Sequence, residues 1–216
     1  MNAKRILLTL AMGLAFAAIA TARTIVLTGE DVDKAAVISD KAPRVSWACI
    51  PSATGVYDTG SQIQLYGGMA ILMRFPLDAI PKDQKIVKAE LTLNCQYVAG
   101  PGRTQVRRMI ADWGPGVCHQ FSRTFPKKVE WSQPGGTGAG TDRAAKDSAM
   151  FKYPAVGDHT VDVTEDVELW YTGAAPNRGW MLTADKDSGI AYLAGIYSPH
   201  AATAKQWKLQ ITFEPQ

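Results

Sequence analysis

The residues of this chain with the means to do chemistry are two tryptophans, a run of cations and a pair of carboxylates. Trp113 and Trp131 stand in a glycine-rich stretch, where flat aromatic faces could stack on sugar rings and where a rigid scaffold usually carries its binding residues. The same rings could instead fold back and plug one end of a core, because an indole buries a large apolar area. Arg103, Arg107, Arg108, Arg123, Lys127 and Lys128 make the middle of the chain basic. Arginine pairs bidentately with carboxylates, so Arg103, Arg108 and Lys128 join Trp113 and Trp131 as the expected carbohydrate contacts. An ordinary solvated face is the competing reading. Arg107 and Arg108 are neighbours and would point to opposite faces of a strand, so only one can join a given patch.

Asp185-Lys186-Asp187-Ser188-Gly189 places Asp185 and Asp187 two apart in a turn, a partial Ca²⁺-loop pattern. A full Ca²⁺ loop also needs a later bidentate Glu, and none stands at that spacing, so a plain hairpin turn competes. Ca²⁺ at these two carboxylates is the one cofactor expectation. Cys118-His119, His159 and His200 lack the spacing of a transition-metal site. The chain has no G-x-S-x-G, H-E-x-x-H or P-loop pattern, and it is read as non-catalytic.

Residues 1–22 read as a secretory leader. Lys4 and Arg5 precede the apolar run Ile6 to Ala20, and Ala20-Thr21-Ala22 fits a cleavage site before Arg23. The expected location is therefore secreted, periplasmic or cell-surface. Of 23 Lys and Arg residues, two lie in that leader, which leaves 21 against 20 acidic side chains and a net charge of +1. Such a balance gives no general pull on nucleic acid or anionic membrane. No second apolar run approaches membrane length. The compartment permits one disulfide, while three cysteines (Cys49, Cys95, Cys118) leave at least one unpaired. Cys49 and Cys95 also read as small hydrophobes on apolar faces.

The elements that must position these residues are mostly strands. Ile86 to Val98 alternates, with Ala89, Leu91, Leu93, Cys95 and Tyr97 on one face and Lys88, Glu90, Thr92, Asn94 and Gln96 on the other. Further strands are expected at Thr24 to Thr28, Val45 to Ile50, Ala70 to Phe75, Thr104 to Ile110, Trp180 to Ala184, Ile190 to Tyr197 and Trp207 to Phe213. Pro76 to Pro81 could hold one helical turn. Ala111 to Ala149 has little periodicity and reads as a long packed or functional loop, because its tryptophans argue against disorder. Asp158 to Leu182 reads as a strand, a short helix and a turn into a strand. Thr164 is the expected helix cap, Val167, Trp170 and Tyr171 form the apolar stripe, and Gly173 is the left-handed stop. One domain, 23–216, follows: all-β, a jelly-roll β-sandwich of about eight or more antiparallel strands with one or two short helices.

Three ordered segments carry a resemblance. The first is Ala70-Ile71-Leu72-Met73-Arg74-Phe75, Ile80-Pro81 and Ile86-Val87-Lys88-Ala89-Glu90-Leu91-Thr92-Leu93. The second is Asp112-Trp113-Gly114-Pro115-Gly116, Val129-Glu130-Trp131 and Pro134-Gly135-Gly136. The third is Val161-Asp162-Val163-Thr164, Val167, Trp170, Gly173, Asn177, Gly179 and Leu182. From Ala70 to Phe213 the chain resembles the DNRLRE-type domain of secreted bacterial and archaeal proteins. Pro115 departs from that pattern, standing where the family usually has an acidic residue. The resemblance implies a jelly-roll sandwich, and in some members a carbohydrate-binding module for acidic polysaccharides such as alginate. The expected partner is a polysaccharide or another cell-surface polymer. The rival is a structural or adhesion protein of the cell envelope with a protein partner, and a small polysaccharide lyase or hydrolase ranks behind both.

Overall fold

In the computed structural model, residues 21–48, 57–58, 62–98, 103–184, 194–199 and 201–216 are described. The expected leader falls almost wholly on 1–20, and Cys49, Asp185, Asp187 and His200 also lie outside the described residues. In chain order the strands are β1 (Arg23–Leu27), β2 (Lys34–Ser39), β3 (Trp47–Ala48), β4 (Tyr57–Asp58), β5 (Gln62–Leu65), β6 (Met69–Arg74), β7 (Gln84–Val98) and β8 (Arg103–Arg108). They continue with β9 (Phe121–Arg123), β10 (Val129–Glu130), β11 (Ala149–Lys152), β12 (Gly157–Asp162), β13 (Trp180–Ala184), β14 (Ala194–Tyr197) and β15 (Lys208–Pro215). Among the described residues there is one α-helix, α1 (Thr164–Tyr171), which follows β12. Pro76 to Pro81 makes a turn closed by Ile80 N–H on the Leu77 carbonyl (3.0 Å), not a helical turn.

The strands form an all-β sandwich whose chain crosses repeatedly from one sheet to the other, as a jelly roll does. The first sheet is built on β7, which pairs β12 along one edge and both β14 and β15 along the other. Ile196 and Gly157 both register with Cys95, so β14 lies opposite β12. β15 then takes up the same edge at Thr92 and runs to Gln84. β1 and β5 flank β15 and β14 on the outside. The second sheet has the order β11-β8-β13-β6-β2-β3-β4, antiparallel except for β3 with β4.

Period-two alternation along β7 sends Ala89, Leu91, Leu93 and Cys95 into the core, as expected. Tyr97 does not join them. The register with β14 skips Gln96, and this bulge leaves Tyr97 at 51% exposure. The second sheet is buried on both faces. Ala35, Val37, Ile71, Met73, Trp180 and Leu182 meet the first sheet, whereas Ala36, Ile38, Ala70, Leu72 and Met181 belong to a second apolar cluster on the far side. Cys95 and Cys118 are buried free thiols, and burial raises the Cys95 pKa.

Helix α1 begins where the β12–β7 ladder ends. The Ala89 carbonyl accepts the Val163 N–H (2.9 Å), and the Ala89 N–H donates to the Thr164 hydroxyl (2.9 Å), which stands in for the next ladder carbonyl. Thr164 is thus the first helical residue and not the cap; the Asp162 carboxylate accepts its N–H (2.8 Å) and its hydroxyl (2.6 Å). Those two bonds hold the Asp162 carboxyl below the usual carboxylate range. Trp170 packs on Trp180 with ring centroids 4.6 Å apart. The Tyr171 hydroxyl donates to the Pro81 carbonyl (2.7 Å) and accepts the Gln84 N–H (2.9 Å). Gly173 ends the helix at φ +75°, as its expected left-handed role requires.

Candidate functional site

Pairing across the second sheet lays out a floor one row at a time. Ile38 registers with Ala70, Ala70 with Thr183, and Thr183 with Gln105, so four neighbouring strands contribute one outward-facing residue each. The next row is Ala36, Leu72, Met181 and Arg107. Trp113, Val117, Trp131 and Met109 cover part of this outer face. Where they stop, a cleft of about 410 Å³ remains, floored by Ile38, Ala70, Gln105 and Thr183 and walled by Arg107, His119, Gly135, Thr137 and Arg143. That volume lies within the range of small-ligand sites, roughly 300–1,000 Å³.

The wall is held by Asp142, which is 2% exposed. Its carboxylate accepts the backbone N–H groups of Ser132 (2.9 Å), Gln133 (3.0 Å) and Gly138 (3.0 Å), while its carbonyl accepts those of Ile110 (2.8 Å) and Ala111 (2.9 Å). A negative group receiving three N–H donors gathers a segment of weak intrinsic periodicity into one shape. Gly135 follows with φ +76° and donates to the His119 carbonyl (2.5 Å); a Cβ there would meet the His119 ring at 2.9 Å. Arg143, next to Asp142, is thereby placed over Met181, with its Nη1 3.6 Å from the thioether sulfur.

Charge in the cleft is unevenly compensated. Arg107 donates from Nε to Asp147 (2.5 Å). The buried Nε–H of Arg143 has no hydrogen-bond partner among the described residues. Its pKa is lowered first by burial and then by the like charge of Arg107. Asp40 is the one acid among the described lining residues.

Trp113 and Trp131, read either as stacking platforms or as rings folded back to plug the core, are 3% and 5% exposed. Their indole N–H groups donate to the carbonyls of Arg178 (2.7 Å) and Cys118 (2.8 Å), so both rings pack as part of the outer layer. Arg108 points to the other side of the sheet, with its Nε 3.3 Å from the buried carboxylate of Asp166, which also accepts the Trp180 indole N–H (2.6 Å). Arg103 lies on the face of β8 shared with Gln105 and Arg107, one position beyond the cleft floor. Lys128 sits on the β9–β10 hairpin, its ammonium 5.5 Å from the Phe121 ring centroid. The structure therefore gathers none of these five among the lining residues. Asp185 and Asp187 lie outside the described residues; among the described ones, no group of three or more His, Cys, Asp or Glu could hold a metal ion.

Sequence reasoning weighed Arg107 but took its neighbour Arg108 for the patch, and it passed over Arg143. The signal for Arg107 was available in the alternation of β8, where 103, 105 and 107 share a face. Nothing comparable pointed to Arg143, because the register of the covering segment is set by Asp142 and not by periodicity. Among the described residues no helix is long and apolar enough to cross a membrane. No family model matches the chain, and no curated protein matches it.

Proposed function

We propose that this protein is a secreted, non-catalytic module that binds carbohydrate in the cleft on the outer face of the second sheet. The carrying observation is the cleft itself, a concavity floored by registered strand residues and edged by Gln105, Thr137, Thr183, His119 and two guanidinium groups. Such groups match the hydroxyls and ring substituents of a sugar, and placement on a sheet keeps them in fixed geometry. Among the described residues no Trp, Tyr or Phe lines the cleft, so those residues recognise a ligand by hydrogen bonds and charge and not by stacking. The leader-like residues 1–22 and the resemblance to the DNRLRE-type domain support the same reading.

Affinity electrophoresis through neutral and acidic polysaccharides tests it. Retention on at least one polymer is expected, with loss of that retention in Thr183→Tyr, which fills the cleft floor, at unchanged thermal midpoint. Absence of retention on every polymer overturns it. Burial of both Trp113 and Trp131 favours a second reading, a structural or adhesion protein of the envelope, because it removes the usual sugar-stacking surface. A mass that rises with concentration in light scattering, without glycan retention, selects that reading. Turnover of a polysaccharide that disappears in His119→Ala would mark a lyase or hydrolase instead.

A further inference from the structure

We propose that the cleft contains a seat for one oxyanion (a carboxylate, sulfate or phosphate) formed by the guanidinium groups of Arg143 and Arg107. This inference rests on the cleft, and it stands or falls separately from the ligand being a sugar.

Arg143 is a cation provided for by little around it. Its buried Nε–H has no partner among the described residues, and a buried donor left unmade is destabilising. Nη1 meets the Met181 sulfur at 3.6 Å, and a thioether is a weak acceptor. Among the described residues no carboxylate lies within ion-pairing distance. The neighbouring Asp142 has both oxygens taken by backbone N–H groups of Ser132, Gln133 and Gly138. Folding has thus placed a guanidinium without an ion pair beside a second one; burial and then that neighbour lower its pKa, against the attraction of Asp147 and Asp142.

Arg107 is compensated on one side only, by Asp147 against its Nε. The remaining acid of the lining, Asp40, lies against Gly68, where a Cβ would approach its carboxylate oxygens to 2.3 Å. Asp147 offsets Arg107, whereas the Arg143 fork has no carboxylate within ion-pairing distance among the described residues. An oxyanion with two or more accepting lone-pair sites would supply what the Arg143 fork lacks, in the bidentate geometry arginine favours. Gln105, Thr137 and Thr183 then offer hydrogen-bonding groups around the anion's remaining substituents.

The test titrates the purified protein at low ionic strength with sodium phosphate, sodium sulfate, sodium glucuronate and, as a neutral control, glucose. Calorimetry and thermal shift provide the two readouts. At least one anion should bind and raise the melting midpoint. Arg143→Met should weaken binding by about 10- to 100-fold, the equivalent of one or two charged hydrogen bonds, while its own midpoint stays level or rises because an unpaired buried charge is gone. Asp147→Asn should tighten binding several-fold by freeing Arg107, an outcome that a purely structural Arg107–Asp147 pair would not give. If Arg143→Met fails to fold, Arg107→Gln with Asp147→Asn carries the test, the first weakening and the second tightening. A preference for glucuronate assigns the seat to a uronate sugar; a preference for phosphate or sulfate assigns it to a phosphate- or sulfate-bearing ligand. No response to any anion, or equal affinity in wild type and Arg143→Met, overturns the proposal. Retention on neutral polysaccharide without anion response sinks the seat and keeps the glycan reading; the reverse result sinks only the glycan reading.

Discussion

Arg107 and Arg108 are adjacent in the chain, yet a sheet separates their guanidinium groups. Arg107 faces the cleft, and Arg108 meets Asp166 in the layer between sheets. Arg108→Gln should therefore leave ligand affinity at the cleft unchanged while lowering stability, whereas Arg107→Gln should do the reverse; parallel denaturation and binding curves separate the two. Asp166→Ala is the stronger lesion, because it strands the Trp180 indole N–H as well as Arg108. Breaking a buried pair in this way costs about 3–5 kcal/mol, discounted here because Arg108 is partly exposed, and urea midpoints measure it. Asp162 gives a pH signature. Its pKa is lowered in the folded state by the Thr164 hydroxyl and N–H. Its contribution is therefore complete above the unfolded carboxylate value and is lost as pH falls through the lower folded one. Asp162→Ala should unfold at lower urea than wild type at neutral pH, and the gap should shrink once the pH passes below the usual carboxylate range.

At the level of elements, strands with one dry face were legible by alternation, and of those buried on both faces β6 and β13 were legible as apolar runs whereas β2 was not. β7 alternates cleanly because its other face carries Lys88, Glu90, Thr92 and Asn94 into solvent. The sequence of β2, Lys-Ala-Ala-Val-Ile-Ser, shows no period because Ala35 and Val37 face one cluster while Ala36 and Ile38 face the other; the strand was missed for that reason. Continuous apolar runs in β2, β6 and β13 were the trace of a third layer, and the expectation of a packed loop over 111–149 supplied its cover. What could not be read was which loop residues rim the gap, since Asp142 fixes them through backbone bonds. Asp142→Asn places an amide N–H₂ against at least one backbone donor. Each charged hydrogen bond lost should cost about 1.5–3 kcal/mol, and amide exchange at Ser132, Gln133 and Gly138 should accelerate well beyond that in β7. The turn into β13 is equally unforgiving. Gly179 sits at φ +73° with the Met73 carbonyl oxygen 2.0 Å from where a Cβ would stand, so Gly179→Ala should lower the melting midpoint by several degrees or prevent folding.

Across the whole molecule the two sheets have different outward roles. The first presents paired polar groups to solvent, including the Thr24–Thr212 and Thr92–Thr160 hydroxyl pairs (3.0 and 2.8 Å) and the Asn94–Asp158 bond (2.6 Å). Those groups satisfy one another, whereas over the second sheet the buried Nε–H of Arg143 has no partner among the described residues. With β7 paired on both edges at Leu91 and that residue fully buried, the Leu91 amide should exchange last, at the rate of global unfolding.

The placement of β15 between β1 and β7 sets an order of events. β1 finds its ladder partner only when Lys208–Pro215 arrives, with Thr24 and Thr212 separated by 188 positions. Loop closure over such a span is slow, and contacts this remote in sequence put all-β folds among the slower folders. During synthesis the segments from β1 to β14 therefore wait with a vacant edge on β7 and an unpaired β1. Completion is triggered by the last strand, much as a clasp closes a band that is already in position.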